Sequence, residues 1–102
     1  MTFPKHARPA APPLARSAER RHLSELAAAL TPYGVWARVI EDGAPFLRVS
    51  NPTSSCATED VSCERRDQHY AFVTTFCLQL GTSDDVPRAA RRTAWLVGAA
   101  DR

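Results

Sequence analysis

Cys56, Cys63, His69 and Cys77 are the residues of this chain best suited by type to hold a metal. Four cysteine or histidine ligands are the number a closed structural zinc site takes. Their spacing speaks against such a site. No Cys-x2-Cys pair is present, and Cys77 falls in an apolar alternating run, where a cysteine acts as a small packing residue. Cys56 lies in a Ser/Thr-rich loop. Neither a metal nor another cofactor is expected.

The carboxylates have structural explanations. Asp84 and Asp85 precede Val86-Pro87, so they suit the free amides and dipole of a helix start. Glu59 and Asp60 are neighbours on a strand, which points their side chains to opposite faces. His6, His22 and His69 are scattered, and no flanking glycines build a nucleophile elbow. Four glycines in the whole chain make no phosphate-cradling loop. No catalytic motif is found. A second kind of chemistry is recognition. Arg88, Arg91 and Arg92 lie beside Trp95, and Arg91 and Trp95 are i, i+4 neighbours. Such a patch is either a solvated helix face or a dock for an acidic partner. Trp36 carries the same ambiguity, because it shares a strand face with Arg38.

These residues need elements to position them. The chain has 102 residues, 44% of them hydrophobic and 24% charged, which suits one globular domain. Residues 1–13 hold four of the eight prolines and read as a disordered arm. The domain division is an arm over 1–16 and a single domain over 17–102. A helix starting near Leu14 or Ser17 runs to Leu30, with Leu23, Leu26, Ala27 and Leu30 as its buried stripe. Thr31-Pro32-Tyr33-Gly34 ends it. Strands follow at Val35–Glu41, Phe46–Ser50 and Glu59–Glu64, the first two joined by a loop of several residues around Asp42-Gly43. Tyr70 to Leu80 alternates without interruption, so it reads as one long strand. Tyr70, Phe72, Thr74, Phe76, Leu78 and Leu80 face the core, leaving Ala71, Val73, Thr75 and Cys77 on the opposite side. A last helix buries Val86, Ala89, Ala90, Thr93, Leu96 and Val97. The expected fold is α+β, in the order α-β-β-β-β-α: a four-stranded antiparallel sheet with both helices packed on one face.

The segments Leu47-Arg48-Val49-Ser50-Asn51-Pro52, Glu59-Asp60-Val61-Ser62-Cys63 and Ser83-Asp84-Asp85-Val86 resemble those of small uncharacterised actinobacterial proteins. These pair a Leu-Arg-Val-x-Asn-Pro strand with a Glu-Asp-Val strand, an aromatic-rich strand and a final helix. The resemblance spans about residues 20–98. It implies the α+β order above and carries over no site residue. Members often place tryptophans in the long strand, where this chain has Tyr70, Phe72 and Phe76.

Charge sharpens the functional reading. Residues 1–22 carry a net +4 and residues 23–102 a net −2. The body therefore has no excess of basic charge for nucleic acid, and nucleic-acid binding would rest on the basic arm, residues 5–21. No apolar run approaches the roughly 20 residues that span a bilayer, and the first residues do not form a secretory signal. Three cysteines cannot all pair within the chain, so reduced thiols and a cytoplasmic location are expected. The primary expectation is a non-catalytic protein-interaction or regulatory module. Its partner is another protein or a second copy, met through Ala71, Val73, Thr75, Trp36, Arg88, Arg91 and Trp95. The rival expectation is a small-ligand or enzyme-like pocket between helices and sheet, lined by His69, Cys63 or Glu59.

Overall fold

The computed structural model describes residues 13–54 and 57–100; the expected arm up to residue 12, and Cys56, lie outside the described residues. The fold is α+β, with two helices and a five-stranded antiparallel sheet. Helix α1 spans Pro13–Leu30. A proline is tolerated in the first turn because the amide it lacks would have had no helical partner there. Leu23, Leu26 and Leu30 are wholly buried, as their spacing requires. One 3-10 turn, Thr31–Tyr33, follows, and Gly34 then reverses the chain at φ +74°.

Five strands come next: β1 Trp36–Asp42, β2 Ala44–Ser50, β3 Thr58–Arg65, β4 Tyr70–Thr74 and β5 Gln79–Thr82. They lie in sequence order as a meander, antiparallel throughout. Gly43 alone joins β1 to β2. Asp42 pairs directly with Ala44 across it, and its φ of +80° is one that glycine adopts without strain. The expected longer loop is therefore absent.

Register aligns Val39 with Leu47, Leu47 with Val61, and Cys63 with Phe72. Leu47, Val61, Cys63 and Phe72 share one core cluster with Leu23, Leu26 and Leu30 of α1 and with Ala89, Ala90 and Ala94 of the second helix, and Val39 packs against it. That helix, α2, spans Val86–Leu96. Asp85 caps it by accepting the Arg88 amide at 3.2 Å, as the pair of aspartates suggested. Gly81 fixes how closely α2 approaches β5. A Cβ built on Gly81 would lie 2.7 Å from the Ala89 Cβ, so only glycine permits the contact.

The C-terminal end of α2 is tied to the sheet by Asn51, a residue whose role the sequence did not reveal. Its buried Nδ2 donates to the Val97 carbonyl at 2.9 Å. Its Oδ1 accepts from the Thr53 amide at 3.0 Å and the Thr53 hydroxyl at 2.8 Å.

The expected strand from Tyr70 to Leu80 is two strands, which makes the sheet five-stranded rather than four-stranded. Thr74 turns the chain. Its amide donates to the Leu78 carbonyl at 2.9 Å, its hydroxyl accepts the Leu78 amide at 3.0 Å, and its carbonyl accepts the Cys77 amide at 3.0 Å. Glu59 accepts from the Thr75 hydroxyl at 3.1 Å, holding the turn from β3. Cys77 occupies the left-handed region at φ +69°. Local hydrogen bonds thus override an alternation that carries no glycine or proline to announce a turn. Phe76 and Leu78 are consequently 59% and 40% exposed instead of facing the core. The stripe expected to lie open is also corrected: Ala71 and Val73 are buried, while Thr75 and Cys77 sit exposed in the turn.

Candidate interaction groove

Among the described residues, three of the four large apolar side chains that remain exposed, Phe76, Leu78 and Trp95, belong to the β4–β5 turn and to α2. Leu78 and Trp95 border a groove of about 770 Å³ that also takes in Tyr33, Gln79, Leu80, Pro87, Arg88, Arg91 and Arg92. Arg88, Arg91, Arg92 and Trp95 recur at i, i+3, i+4 and i+7, a single stripe along α2. The opposite wall is the start of β5. Leu80 is buried, while Leu78, Gln79 and Trp95 are exposed.

Arginines elsewhere on the surface are partly paired, although Arg21, Arg38 and Arg65 make no ion pair among the described residues. Arg20 meets Glu41 at 3.3 Å, Arg66 meets Glu64 at 3.0 Å, and Arg48 grips Asp60 through two bonds of 2.8 and 3.0 Å. The Asp60 hydrogen bond, then its charge, raises the Arg48 pKa above its ordinary value. Among the described residues, none of the Arg88, Arg91 and Arg92 guanidinium groups makes an ion pair. The groove therefore combines an apolar lining with three cations that no carboxylate of the described chain neutralises.

The metal candidates are not brought together. Cys63 points into the core, and burial first, then Glu19 and Glu64, pushes its thiol pKa up to about 12. Such a thiol is a poor ligand and a poor nucleophile at neutral pH. His69 precedes β4 and Cys77 follows it, so the five residues of that strand, about 16 Å of chain, separate them. Among the described residues no group of three His, Cys, Asp or Glu side chains is placed to hold a metal.

A second cleft, of about 400 Å³, lies beside His69, the residue named for the rival pocket. Its polar groups are largely engaged in holding structure. His69 Nδ1 lies 3.8 Å from Asp84, and His22 packs on Tyr70 with centroids 4.7 Å apart. Ser83 Oγ accepts the Tyr70 amide at 2.9 Å, which joins β4 to the end of β5. Cys63 and Glu59 do not line this cleft.

Of the residues expected to meet a partner, Arg88, Arg91 and Trp95 lie together in the groove. Trp36 stands 69% exposed on the edge strand β1. Sequence reasoning missed Leu78 and Tyr33 as groove residues. Strict alternation assigns Leu78 to the core, and Tyr33 belongs by type to the helix stop. Among the described residues no helix is long and apolar enough to cross a membrane. Compared with protein-family models, curated proteins and solved structures, the chain matches none of them.

Proposed function

We propose that this protein is a cytoplasmic protein-interaction module without catalytic activity, and that its docking site is the groove between α2 and β5. In this reading both helices pack on one face of the sheet, and α2 turns its arginine stripe outward beside the sheet edge. One observation carries the proposal: Leu78 and Trp95 are exposed beside three guanidinium groups that no carboxylate among the described residues neutralises, in a single concavity. Exposed apolar side chains gathered in one place mark interaction sites more often than scattered ones do. Arg and Trp are also the residue types that dominate binding energy at interfaces.

The test is site-specific photo-crosslinking. The full chain carrying a photoreactive group at Leu78, or at Ser50 as a control remote from the groove, is irradiated in lysate of the source organism. A discrete adduct from position 78 that is missing from position 50 is the expected result. Equal adducts from both positions, or none from 78, would end the proposal.

A further inference from the structure

We infer that the occupant of the groove is an extended acidic segment of a partner protein, lying alongside the free edge of β5 with its carboxylates against Arg88, Arg91 and Arg92. The inference rests on the docking reading of this groove and names the partner that the reading leaves open. Three observations converge on it. First, β5 is the last strand of the meander and, among the described residues, pairs with β4 alone, so one side of its backbone is open. An exposed edge is a template for an added strand, and main-chain hydrogen bonds then supply affinity that is indifferent to side chains. Second, the groove runs beside that edge, with Gln79 and Leu80 on one wall and the α2 stripe on the other. β5 is bulged at Leu80, which has no partner in β4, and a segment added to its edge would lie beside α2. Third, the α2 stripe offers three cations and no carboxylate. A basic segment would be repelled there. An acidic one finds charge complementarity, which favours rapid encounter and excludes basic competitors.

The apolar residues of the groove add a second requirement. Leu78 is 40% exposed beside the β5 edge, so the segment must carry at least one Leu, Phe or similar residue among its carboxylates to cover it.

The experiment uses the full-length chain and fluorescein-labelled synthetic peptides, read by anisotropy. One peptide alternates Glu or Asp with Leu and Phe. A second replaces its acids with Lys, and a third replaces its apolar residues with Ser. The first should bind, and each control should bind weaker by about tenfold or more. A triple Arg88→Glu, Arg91→Glu, Arg92→Glu variant should lose about the same factor, and a triple Arg→Lys variant should retain most of the binding. Rising salt should weaken the complex. Hydrogen exchange should slow at β5 amides when the acidic peptide is bound. Both variants alter exposed side chains, and circular dichroism checks that they fold. Equal binding of the lysine peptide, indifference to the Arg→Glu changes, or binding without protection of β5 would overturn the inference. If the acidic peptide fails while Leu78 still yields its discrete adduct, the acidic occupant falls and the docking site stands. If Leu78 yields no adduct, both fall.

Discussion

The groove beside α2 and the face of the sheet that carries Arg48 both present arginines and aromatic rings, yet they differ in what those groups are already doing. On the sheet, Arg48 is held by Asp60 across the β2–β3 pair and lies 5.5 Å from the centroid of the Phe46 ring, which it partly covers. Ala71 and Val73 are buried in the neighbouring strand. For the Arg48–Asp60 pair charge is met by charge, and the Phe46 ring meets a cation, whereas Arg38, cross-strand from Arg48, makes no ion pair among the described residues. In the groove, Arg88, Arg91 and Arg92 meet no carboxylate among the described residues, and Leu78 and Trp95 stay exposed. The lesson is that exposure alone does not define an interaction surface. A surface is available for a partner where exposed apolar side chains lie beside charges that no carboxylate among the described residues meets.

The largest effect that can break this comparison comes from Gly81→Val. The first carbon of the new side chain would collide with Ala89, forcing α2 away from β5. We expect a loss of about 1–3 kcal/mol in urea unfolding, with loss of the Leu78 photo-adduct. An unchanged midpoint would show that α2 can move away from β5 at no cost. Asn51→Ala comes next. It leaves the Val97 carbonyl without its buried donor and should cost about 1–3 kcal/mol. Because Asn51 anchors the end of α2, binding at the groove should weaken as well, while a retained affinity would mean that the helix end is positioned by packing alone.

The two described thiols sharpen the contrast between interior and groove rim. Cys63, held at about 12 by burial, should resist alkylation in the folded protein, whereas the exposed Cys77 should react. Its ordinary value is 9.0, so folding favours the neutral thiol. The contribution to stability is complete below pH 9.0 and is lost as pH rises from there towards about 12. Chemical unfolding followed over that range should show the decline, and Cys63→Val should flatten it. Equal slopes in the two proteins would refute the assignment. A smaller effect is expected of Cys77→Gly. Relieving the positive φ should raise stability by about 0.5–1 kcal/mol, read as a higher melting temperature, without changing which residues the turn presents. Smallest of all is Trp36→Ser. This exposed edge-strand residue should change stability by no more than about 0.5 kcal/mol and leave groove binding unaltered. A clear loss of peptide binding would move the docking site to β1.

Much of the architecture is legible in local chemistry. The Leu23, Leu26 and Leu30 stripe, the Asp85 cap and the glycine at Gly34 act over distances of one helical turn, and each is where its residue type requires. Arg88, Arg91 and Trp95 could be grouped for the same reason, since helical periodicity alone places them on one stripe. The β4–β5 turn escaped because its stop signal is a threonine hydroxyl and a glutamate from another strand. Alternation of apolar and small residues is equally consistent with one strand or with two strands and a short turn.

Neighbouring residues alone therefore specify the two helices, the first three strands and the chemistry of the α2 stripe, because periodicity and capping are local properties, but they do not specify the division of residues 70–80 into two strands. Tertiary structure alone decided that Leu78 leaves the core, that Ala71 and Val73 enter buried surroundings, and that Asn51 holds the far end of α2. It also decided that the stripe faces a sheet edge and makes a groove. The physical reason is that burial and charge compensation depend on partners distant in the chain. Thr75 and Glu59 lie 16 residues apart in sequence and become neighbours only when β3 and β4 pair.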